Sequence, residues 1–248
     1  DLDNNGLLEC SFENFTDLPW ANSLSNAGRD ILQSKEILYA LRSLSEYKDF
    51  CMWQNMFFDK STGTVDHIDT WYLDSDPMGN LFGAWVALEE IDGKGGVFHV
   101  YPKSHLSKNR SWENITHKEF LDWSNEEAKN YKQKSLFLKK GDLLLWHPSL
   151  IHGSSLQTEK GFSRKSLTAH YYPTNLLRGG GGINSIKNQT YHKKLTKQKS
   201  SMRSYGFPIM ARSSKREIIK FATIGIIKFI FSVLINKPKN LMNRKNYI

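Results

Sequence analysis

Short apolar segments separated by polar, glycine-containing turns dominate residues 50–175 of the chain. Each segment has the length of a β-strand rather than of a helix. The turns contain pairs such as Asp92-Gly93 and Lys140-Gly141, which interrupt regular structure. Many short strands joined by such turns predict a sandwich or a barrel. The predicted strands span residues 52–58, 83–88, 97–101, 135–138, 142–146 and 164–172.

Two stretches show helical rather than strand character. Residues 30–45 carry apolar side chains at helical spacing, from Ile31 to Leu44, and they predict one helix on the outside of the sheet. Residues 112–133 are mostly polar and predict a helical insertion with one buried side. That buried side would consist of Phe120, Leu121 and Trp123.

The C-terminal part of the chain differs from the rest. Residues 176–206 are rich in Gly, Lys and Ser, which predicts a loop or a lid. Residues 218–235 are mostly apolar but contain Lys220 and Lys228, and lysines inside a bilayer are costly. Three interpretations of this segment stay open: a membrane-surface anchor, a helix buried against the domain or a second subunit, and a transmembrane span.

Charge is unevenly distributed along the chain, whose net charge is +9. From Lys187 onward, 15 Lys and Arg residues accompany one acidic residue, Glu217, whereas residues 1–186 carry 19 Lys and Arg against 24 Asp and Glu. A basic tail predicts contact with an anionic membrane surface or nucleic acid, although solvated Lys-rich segments give the same pattern. The tail lacks interleaved aromatic residues for base stacking, which disfavours nucleic acid as a partner.

Cysteine usage bears on the compartment. Cys10 and Cys51 are too few for a disulfide framework and show no metal-ligand spacing. We therefore expect a reducing compartment, the cytoplasm, with attachment to a membrane surface if the tail is an anchor. The start of the sequence shows no signal-peptide pattern, and because it begins at Asp1 we expect a fragment or a processed form.

The first candidate chemistry lies between Asp66 and Tyr72. His67 and Asp69 are two residues apart, and side chains two apart on a strand point to the same face. Two histidines and one carboxylate, with coordination positions left open, hold non-haem Fe(II) for oxygen chemistry. The second histidine would come from a distant part of the chain, and His152 is the candidate. The chain has 8 His, so the pair alone does not establish a site.

A cationic residue, Arg164, follows the distal histidine candidate, His152, along the chain. Arg164 and Ser166 would share one face of a strand. A guanidinium pairs with a carboxylate through two parallel hydrogen bonds, and a neighbouring hydroxyl adds another. The pair is therefore suited to anchor the distal carboxylate of a dicarboxylate co-substrate. The alternative for Arg164 is a structural or surface ion pair.

The order His-x-Asp, distal His and Arg resembles that of the Fe(II)- and 2-oxoglutarate-dependent dioxygenases. The surrounding residues resemble one branch of them, the phytanoyl-CoA dioxygenase family, which includes ectoine hydroxylase. The resemblance covers about residues 50–175 and departs from the family at Lys103, where the family usually has Gly. The matching segments are His67-Ile68-Asp69, Trp85-Val86-Ala87-Leu88-Glu89-Glu90, Gly95-Gly96, Pro102-Lys103-Ser104-His105, Lys140-Gly141-Asp142, Ile151-His152-Gly153-Ser154 and Arg164-x-Ser166.

This resemblance implies a fold and a set of roles. The fold would be an all-β core with flanking helices, a double-stranded β-helix of the cupin-like jelly-roll type. His67, Asp69 and His152 would hold Fe(II), whose open positions would take 2-oxoglutarate and O2. Iron halogenases of this fold lack the carboxylate ligand, so Asp69 favours hydroxylation over halogenation. The residues that would bind or line the 2-oxoglutarate pocket are Arg164, Ser166, Trp85, Gln54 and Met56.

Other residues have open assignments. Trp85 would also suit ordinary core packing. We expect His105 and His147 to support the metal ligands or the fold rather than to bind the metal, because a triad needs only two histidines. We expect His99 and His170 to be either pocket residues or satisfied interior histidines. The segment after the iron ligands would contribute to the substrate mouth or pack as a loop; its candidates are Trp71, Tyr72 and Asp74.

Together these features predict one dioxygenase domain over residues 1–212, with a core at about 50–175, followed by a basic apolar tail over 213–248. The enzyme would hydroxylate a C–H bond of a small-molecule or lipid-linked substrate and release succinate and CO2. The alternative is a non-catalytic cupin-type binding module.

Overall fold

The computed structural model describes residues 2–17, 22–113, 115–179, 202–203 and 207–208. Three short 3-10 helices lie at Phe15–Asp17, Asp69–Trp71 and Ser104–Leu106. The other elements in chain order are β1 (Phe12–Glu13), α1 (Asn22–Leu32), α2 (Lys35–Ser43), β2 (Phe50–Phe58), β3 (Asp74–Asp76), β4 (Phe82–Ala87), β5 (Phe98–Val100), α3 (His117–Ala128), β6 (Lys134–Leu136), β7 (Leu143–Trp146), β8 (His152–Ser154), β9 (Ser166–Pro173), β10 (Leu177–Gly179), β11 (Met202–Arg203) and β12 (Phe207–Pro208).

The strands form two main antiparallel sheets. The larger sheet has the order β1-β2-β9-β4-β7, and the smaller has the order β6-β5-β8. Two further antiparallel pairs join β3 to β10 and β11 to β12. Neighbours in the larger sheet are far apart in sequence, as in a jelly roll, where successive strands alternate between two sheets. The predicted fold class, an all-β jelly-roll core with flanking helices, is confirmed.

Side-chain alternation along β9 shows how the larger sheet divides two environments. Leu167, Ala169 and Tyr171 belong to a core cluster that also contains Ile37, Leu38 and Leu41 of α2. The intervening side chains of β9 therefore face the opposite side of the sheet, because successive residues of a strand point to opposite faces. This opposite side, between the two sheets, carries Thr168 and His170 and forms the wall of a cavity.

The predicted helix over residues 30–45 was wrong as a single element. The chain forms α1 and α2 instead, and Ser34 lies between them with an extended backbone. The Ser34 hydroxyl accepts a hydrogen bond from the backbone N–H of Ile37, 3.4 Å away, and so caps the start of α2. Apolar spacing alone does not show such a break, because Leu32 of α1 and Ile37, Leu38 and Leu41 of α2 all pack into the same core cluster.

The predicted helical insertion is present as α3. Thr116 and Glu119 form a capping box at its start, and Phe120 is fully buried. The ring of Phe120 stacks on that of Trp71, with centroids 4.7 Å apart. The helix therefore packs directly against the segment that follows Asp69.

Some predictions fall outside the described residues. These include most of the glycine-rich segment 176–206, the domain boundary at residue 212 and the tail 213–248, so these stay predictions. Among the helices that the structure does describe, none is long and apolar enough to cross a membrane.

Candidate metal centre

Three predicted ligands converge between the two sheets. Nε2 of His67 lies 3.7 Å from Oδ1 of Asp69, and Nε2 of His152 lies 3.6 Å from the same oxygen. One donor atom from each of the three side chains lies within 4.8 Å of the other two. Two imidazoles and one carboxylate in this arrangement have the composition of a facial triad for Fe(II).

The backbone joins the two histidines directly. His67 and His152 form an isolated antiparallel bridge, and each N–H donates to the other's C=O over 3.0 Å. The expectation that Asp69 continues this strand was wrong. Asp69 starts a 3-10 helix instead, since its carbonyl accepts from the N–H groups of Tyr72 and Leu73 at 2.7 and 2.8 Å. The turn, rather than strand alternation, brings the carboxylate beside both imidazoles.

Hydrogen bonds orient both imidazole rings. Nδ1 of His67 lies 2.8 Å from the carbonyl oxygen of Val65, and Nδ1 of His152 lies 2.9 Å from that of Leu150. A carbonyl oxygen can only accept, so each Nδ1 carries the proton and each Nε2 keeps its lone pair toward Asp69. This is the tautomer that a metal-ligating histidine needs.

The protonation states also suit a metal. Burial lowers the pKa of His152 to about 4, so its imidazole is neutral at neutral pH. Burial acts to raise the pKa of Asp69, but the neighbouring side chains of His152, His170 and His67 outweigh it and hold that pKa below its usual range. Ionised carboxylate and neutral imidazole are the forms that bind metal ions.

The second oxygen of Asp69 has different neighbours. The indole N–H of Trp146 donates to Oδ2 over 2.7 Å in a fully buried contact. Nε2 of His170 lies 3.4 Å from the same oxygen. Neither ring nitrogen of His170 forms a hydrogen bond with any residue in the described ranges. His170 therefore lies in the cavity wall, one of the two outcomes foreseen for it, with the Asp69 carboxylate as its charged neighbour.

A cavity of about 360 Å³ extends from these ligands. Four of the five predicted co-substrate residues line it: Gln54 and Met56 from β2, Trp85 from β4, and Arg164 just before β9. Ser166 is fully buried beside them but is not among the lining residues. The remaining lining residues are Ser11, Phe58, Thr62, Thr64, Val65, His67, Asp69, Tyr72, Leu73, Phe98, Trp146, His152, Gly153, Ser154, Thr168 and His170.

Arg164 is the main cationic feature of the cavity wall. Its side chain is 3% exposed, and Nε and Nη1 have no hydrogen-bond partner among the described residues. Burial lowers its pKa to about 10, which still leaves the guanidinium charged at neutral pH. The charged carbon lies 5.6 Å from the ring centroid of Trp85 and 5.8 Å from that of Phe58. A buried charge without a partner is costly, so the cavity is suited to an anion.

Two other buried donors strengthen this conclusion. The indole N–H of Trp85 and the hydroxyl of Ser166 are also without hydrogen-bond partners in the described part of the chain. Native proteins rarely leave such groups unpaired unless a ligand, an ion or water completes them. A carboxylate in the cavity would satisfy the Trp85 N–H together with Arg164, so the lining residues fit 2-oxoglutarate by their chemistry.

Several lining residues were missed at the sequence level, although strand periodicity could have found them. Thr168 follows Ser166 by two residues on the same strand, and Ser154 lies two residues after His152. His99 lines no part of this cavity and instead contacts Oδ1 of Asp66 at 2.6 Å.

The three residues expected at the substrate mouth have different surroundings in the structure. Tyr72 lines the cavity, whereas Trp71 packs on Phe120. Asp74 is fully buried and accepts hydrogen bonds from the backbone N–H groups of Ser75 and Gly79. The ring centroids of His105 and His147 lie 5.4 Å apart, and both residues line a separate cavity of about 260 Å³.

Comparison with known proteins identifies the family. The family model described as phytanoyl-CoA dioxygenase (PhyH) matches residues 10–166, which is more than half of the chain. The chain belongs to the phytanoyl-CoA dioxygenase family. The relationship predicted from the sequence motifs is thereby confirmed.

Curated relatives of this phytanoyl-CoA dioxygenase family member match over a limited length. The peroxisomal phytanoyl-CoA dioxygenase of Bos taurus is 32% identical over 117 residues, which are 44% of this chain and 33% of that protein. The Homo sapiens protein is 32% identical over 110 residues, 42% of this chain and 32% of its own length. The alignment thus spans about a third of these relatives.

Solved structures of low sequence identity share the fold of this family member. The carbocyclase SnoK from nogalamycin biosynthesis has a TM-score of 0.56 at 17% identity, covering 80% of this chain and 71% of its own. The epimerase SnoN, solved with Fe3+ and alpha ketoglutarate, has a TM-score of 0.56 at 16% identity, covering 82% and 75%. EctD from S. alaskensis has a TM-score of 0.51 at 18% identity, covering 70% and 60%.

Proposed function

We propose that this chain is a non-haem Fe(II)- and 2-oxoglutarate-dependent dioxygenase that hydroxylates a C–H bond of a small-molecule or lipid-linked substrate. One observation carries the proposal. A His, Asp and His cluster shares one cavity with a buried guanidinium whose Nε and Nη1 have no hydrogen-bond partner among the described residues. A structural ion pair would explain a buried Arg164 only if a carboxylate faced it, and none is bonded to its Nε or Nη1 among the described residues.

In this proposal, His67, Asp69 and His152 hold Fe(II) through two imidazole nitrogens and one carboxylate oxygen. When bound, Fe(II) and 2-oxoglutarate supply the activation of O2, with one oxygen atom entering succinate, CO2 leaving, and the other oxygen entering the substrate. The carbonyl oxygens of Val65 and Leu150 keep the two imidazoles in the ligating tautomer.

The other residues bind and shield the co-substrate. Arg164 pairs with the distal carboxylate of 2-oxoglutarate, and the Trp85 indole N–H donates a further hydrogen bond to it. Gln54 and Met56 contribute to the same wall. The ring of Trp85 also stacks on that of Phe98, with centroids 5.8 Å apart, and this apolar surface excludes water from the reacting atoms.

The substrate class is proposed only in coarse terms. The curated relatives are named as dioxygenases of phytanoyl-CoA, a small-molecule substrate. We carry to this chain the small-molecule or lipid-linked class and the release of succinate and CO2. We also propose that residues 1–212 form the dioxygenase domain, and that the protein acts in the cytoplasm.

An anaerobic titration tests the proposed function. Fe(II) and then 2-oxoglutarate are added to the metal-free protein, and the visible charge-transfer band of the keto acid on iron is recorded. We expect the band in the wild type and its loss in Asp69→Ala, together with loss of 2-oxoglutarate turnover. Arg164→Ala should keep iron binding but require at least about 10-fold more 2-oxoglutarate, because a charge-assisted pair is removed.

The exposed neighbour Lys165 provides a matched control for loss of one positive charge. Lys165→Ala should bind 2-oxoglutarate as the wild type does. A folded wild-type protein that never develops the band would contradict the proposal and favour the binding module. Equal 2-oxoglutarate affinity in Arg164→Ala and Lys165→Ala would remove Arg164 from the co-substrate site.

A further inference from the structure

Three residues lie side by side across the larger sheet beside the metal centre. Gly83 of β4 is the register partner of Trp146 on β7 and of His170 on β9. Trp146 and His170 both line the cavity, on either side of this glycine. Their ring centroids are 6.1 Å apart, in an edge-to-face arrangement.

Gly83 makes room for the indole ring of Trp146. A Cβ atom at position 83 would lie 2.0 Å from Cε2 and 2.5 Å from Nε1 of Trp146, closer than real atoms approach. The indole therefore occupies the space that a side chain at position 83 would fill. This placement carries its N–H to Oδ2 of Asp69, 77 positions away in sequence.

The two oxygens of Asp69 consequently face different chemistry. Oδ1 faces the Nε2 atoms of His67 and His152 at 3.7 and 3.6 Å. Oδ2 receives the indole N–H of Trp146 at 2.7 Å and also lies 3.4 Å from Nε2 of His170. An indole N–H can donate a hydrogen bond but can neither accept one nor bind a metal ion, so it occupies Oδ2 without competing for the metal.

We propose that Trp146, seated on Gly83, is a positioning residue that holds Asp69 so that only Oδ1 is presented to the metal ion. The inference rests on the proposed function and extends it to the way the carboxylate ligand is fixed. A carboxylate can bind a metal through one oxygen or through both. Holding Oδ2 on the indole keeps one more coordination position free for the keto acid and O2, as the open triad requires.

Cobalt(II) titration of the full chain provides the test, because Co(II) absorbs visibly and its spectrum reports coordination number without any turnover. The main variant is Trp146→Phe, which keeps an aromatic ring and removes the N–H. The control is Trp123→Phe, since Nε1 of Trp123 is buried without a hydrogen-bond partner in the part of the chain described here.

We expect Trp146→Phe to bind Co(II) at least about 10-fold more weakly than the wild type, the lower end of what partners of metal ligands contribute. Its Co(II) spectrum should also differ in intensity, because Asp69 is no longer fixed. Trp123→Phe should match the wild type within about two-fold. Thermal unfolding of each metal-free variant separates these effects from a general loss of stability.

A second variant tests the contact between Gly83 and the indole ring of Trp146. Gly83→Ala should weaken Co(II) binding in the same direction, because the added methyl group displaces the indole. In the Trp146→Phe background, the same substitution should weaken binding less than it does in the wild type, since the two changes act through one contact.

The outcomes distinguish this inference from the proposed function. If the wild type binds Co(II) and Trp146→Phe binds it with the same affinity and spectrum, the positioning role is overturned and the proposed function stands. If the wild type binds neither Co(II) nor Fe(II), the proposed function fails and the inference fails with it. Additive losses in the double variant would overturn the role of Gly83 alone.

Discussion

At the scale of single residues, two buried ionisable side chains of this protein are stabilised in different ways. Arg164 lies in the cavity wall with Nε and Nη1 unpaired within the described residues, so its charge is suited to binding an anion. Asp74 is fully buried too, but its carboxylate is bonded to the backbone N–H groups of Ser75 and Gly79. Asp74 thereby fixes the loop that leads into β4, which carries Gly83 and Trp85.

The Asp74 carboxyl predicts a specific pH dependence of stability. Burial raises its pKa to about 6 from an unfolded value of 3.8, despite the backbone hydrogen bonds. A group whose folded pKa is raised stabilises the fold at low pH and loses that contribution as pH rises through the window from about 4 to about 6.

We therefore expect the stability of the wild type relative to Asp74→Asn to decrease by roughly 2 kcal/mol between pH 4 and pH 7, since one pKa unit is worth about 1.4 kcal/mol and the unfolded carboxyl is already partly ionised at pH 4. Urea unfolding of both proteins at each pH measures this difference. Asp122, an exposed acid on α3, gives the control: Asp122→Asn should show no such trend. A constant difference between wild type and Asp74→Asn across the window would contradict the assignment.

At the scale of elements, the site depends on short, irregular pieces rather than on long strands. A two-residue bridge joins His67 to His152, and a single 3-10 turn supplies Asp69. The aromatic stack of Trp71 on Phe120 then ties this turn to α3. The insertion helix thus packs against the ligand turn through the ring of Phe120.

A second turn places a residue other than glycine in the left-handed region of the backbone. Lys103 precedes the 3-10 helix Ser104–Leu106 and has a φ of 74°, in the left-handed region that glycine adopts at little cost. The family usually has Gly at this position. Lys103→Gly should therefore raise the free energy of unfolding by about 1 kcal/mol, the strain relief less the added freedom of the unfolded chain.

Chemical denaturation of Lys103→Gly checks this prediction. Lys103→Ala is the matched control, because it removes the same charged side chain and keeps the Cβ atom that causes the strain. Equal stability of the Gly and Ala variants would show that the side chain, and not the backbone angle, matters at this turn.

At the scale of the whole molecule, the two sheets enclose the cavity and the C-terminal tail adds a separate property. Residues 213–248 combine basic and apolar residues in the sequence. If they anchor the protein on an anionic membrane surface, full-length protein should sediment with membranes, and a chain ending at Ala211 should not. Raising the salt concentration should release part of the full-length protein, because the basic residues contribute by charge.

Cell fractionation of the two chains measures this difference, and the charge-transfer band of each confirms that the dioxygenase domain has folded. Equal solubility of the two chains would rule out the anchor and leave the tail as a solvated or domain-packed segment. The proposed catalytic function does not depend on this outcome, since every proposed site residue lies between Gln54 and Ser166.

The sequence by itself determined the fold class, the family and the identities of the ligand candidates. Alternating apolar positions and glycine-containing turns indicate strands at any place in a sequence. His67, Asp69, His152 and Arg164 follow one another in the order that is typical of the family. These signals lie in short stretches or in the order of residues along the chain, so they can be identified without knowing how the chain packs.

Only the tertiary structure decided how those residues meet. The helix break at Ser34, the 3-10 turn at Asp69 and the position of Ser166 away from the cavity surface were not predictable from periodicity. The bond from Trp146 to Asp69 joins residues on separate elements, and it requires the absent side chain of Gly83. Such contacts arise from close packing between distant segments, which a linear pattern of apolar and polar residues does not encode.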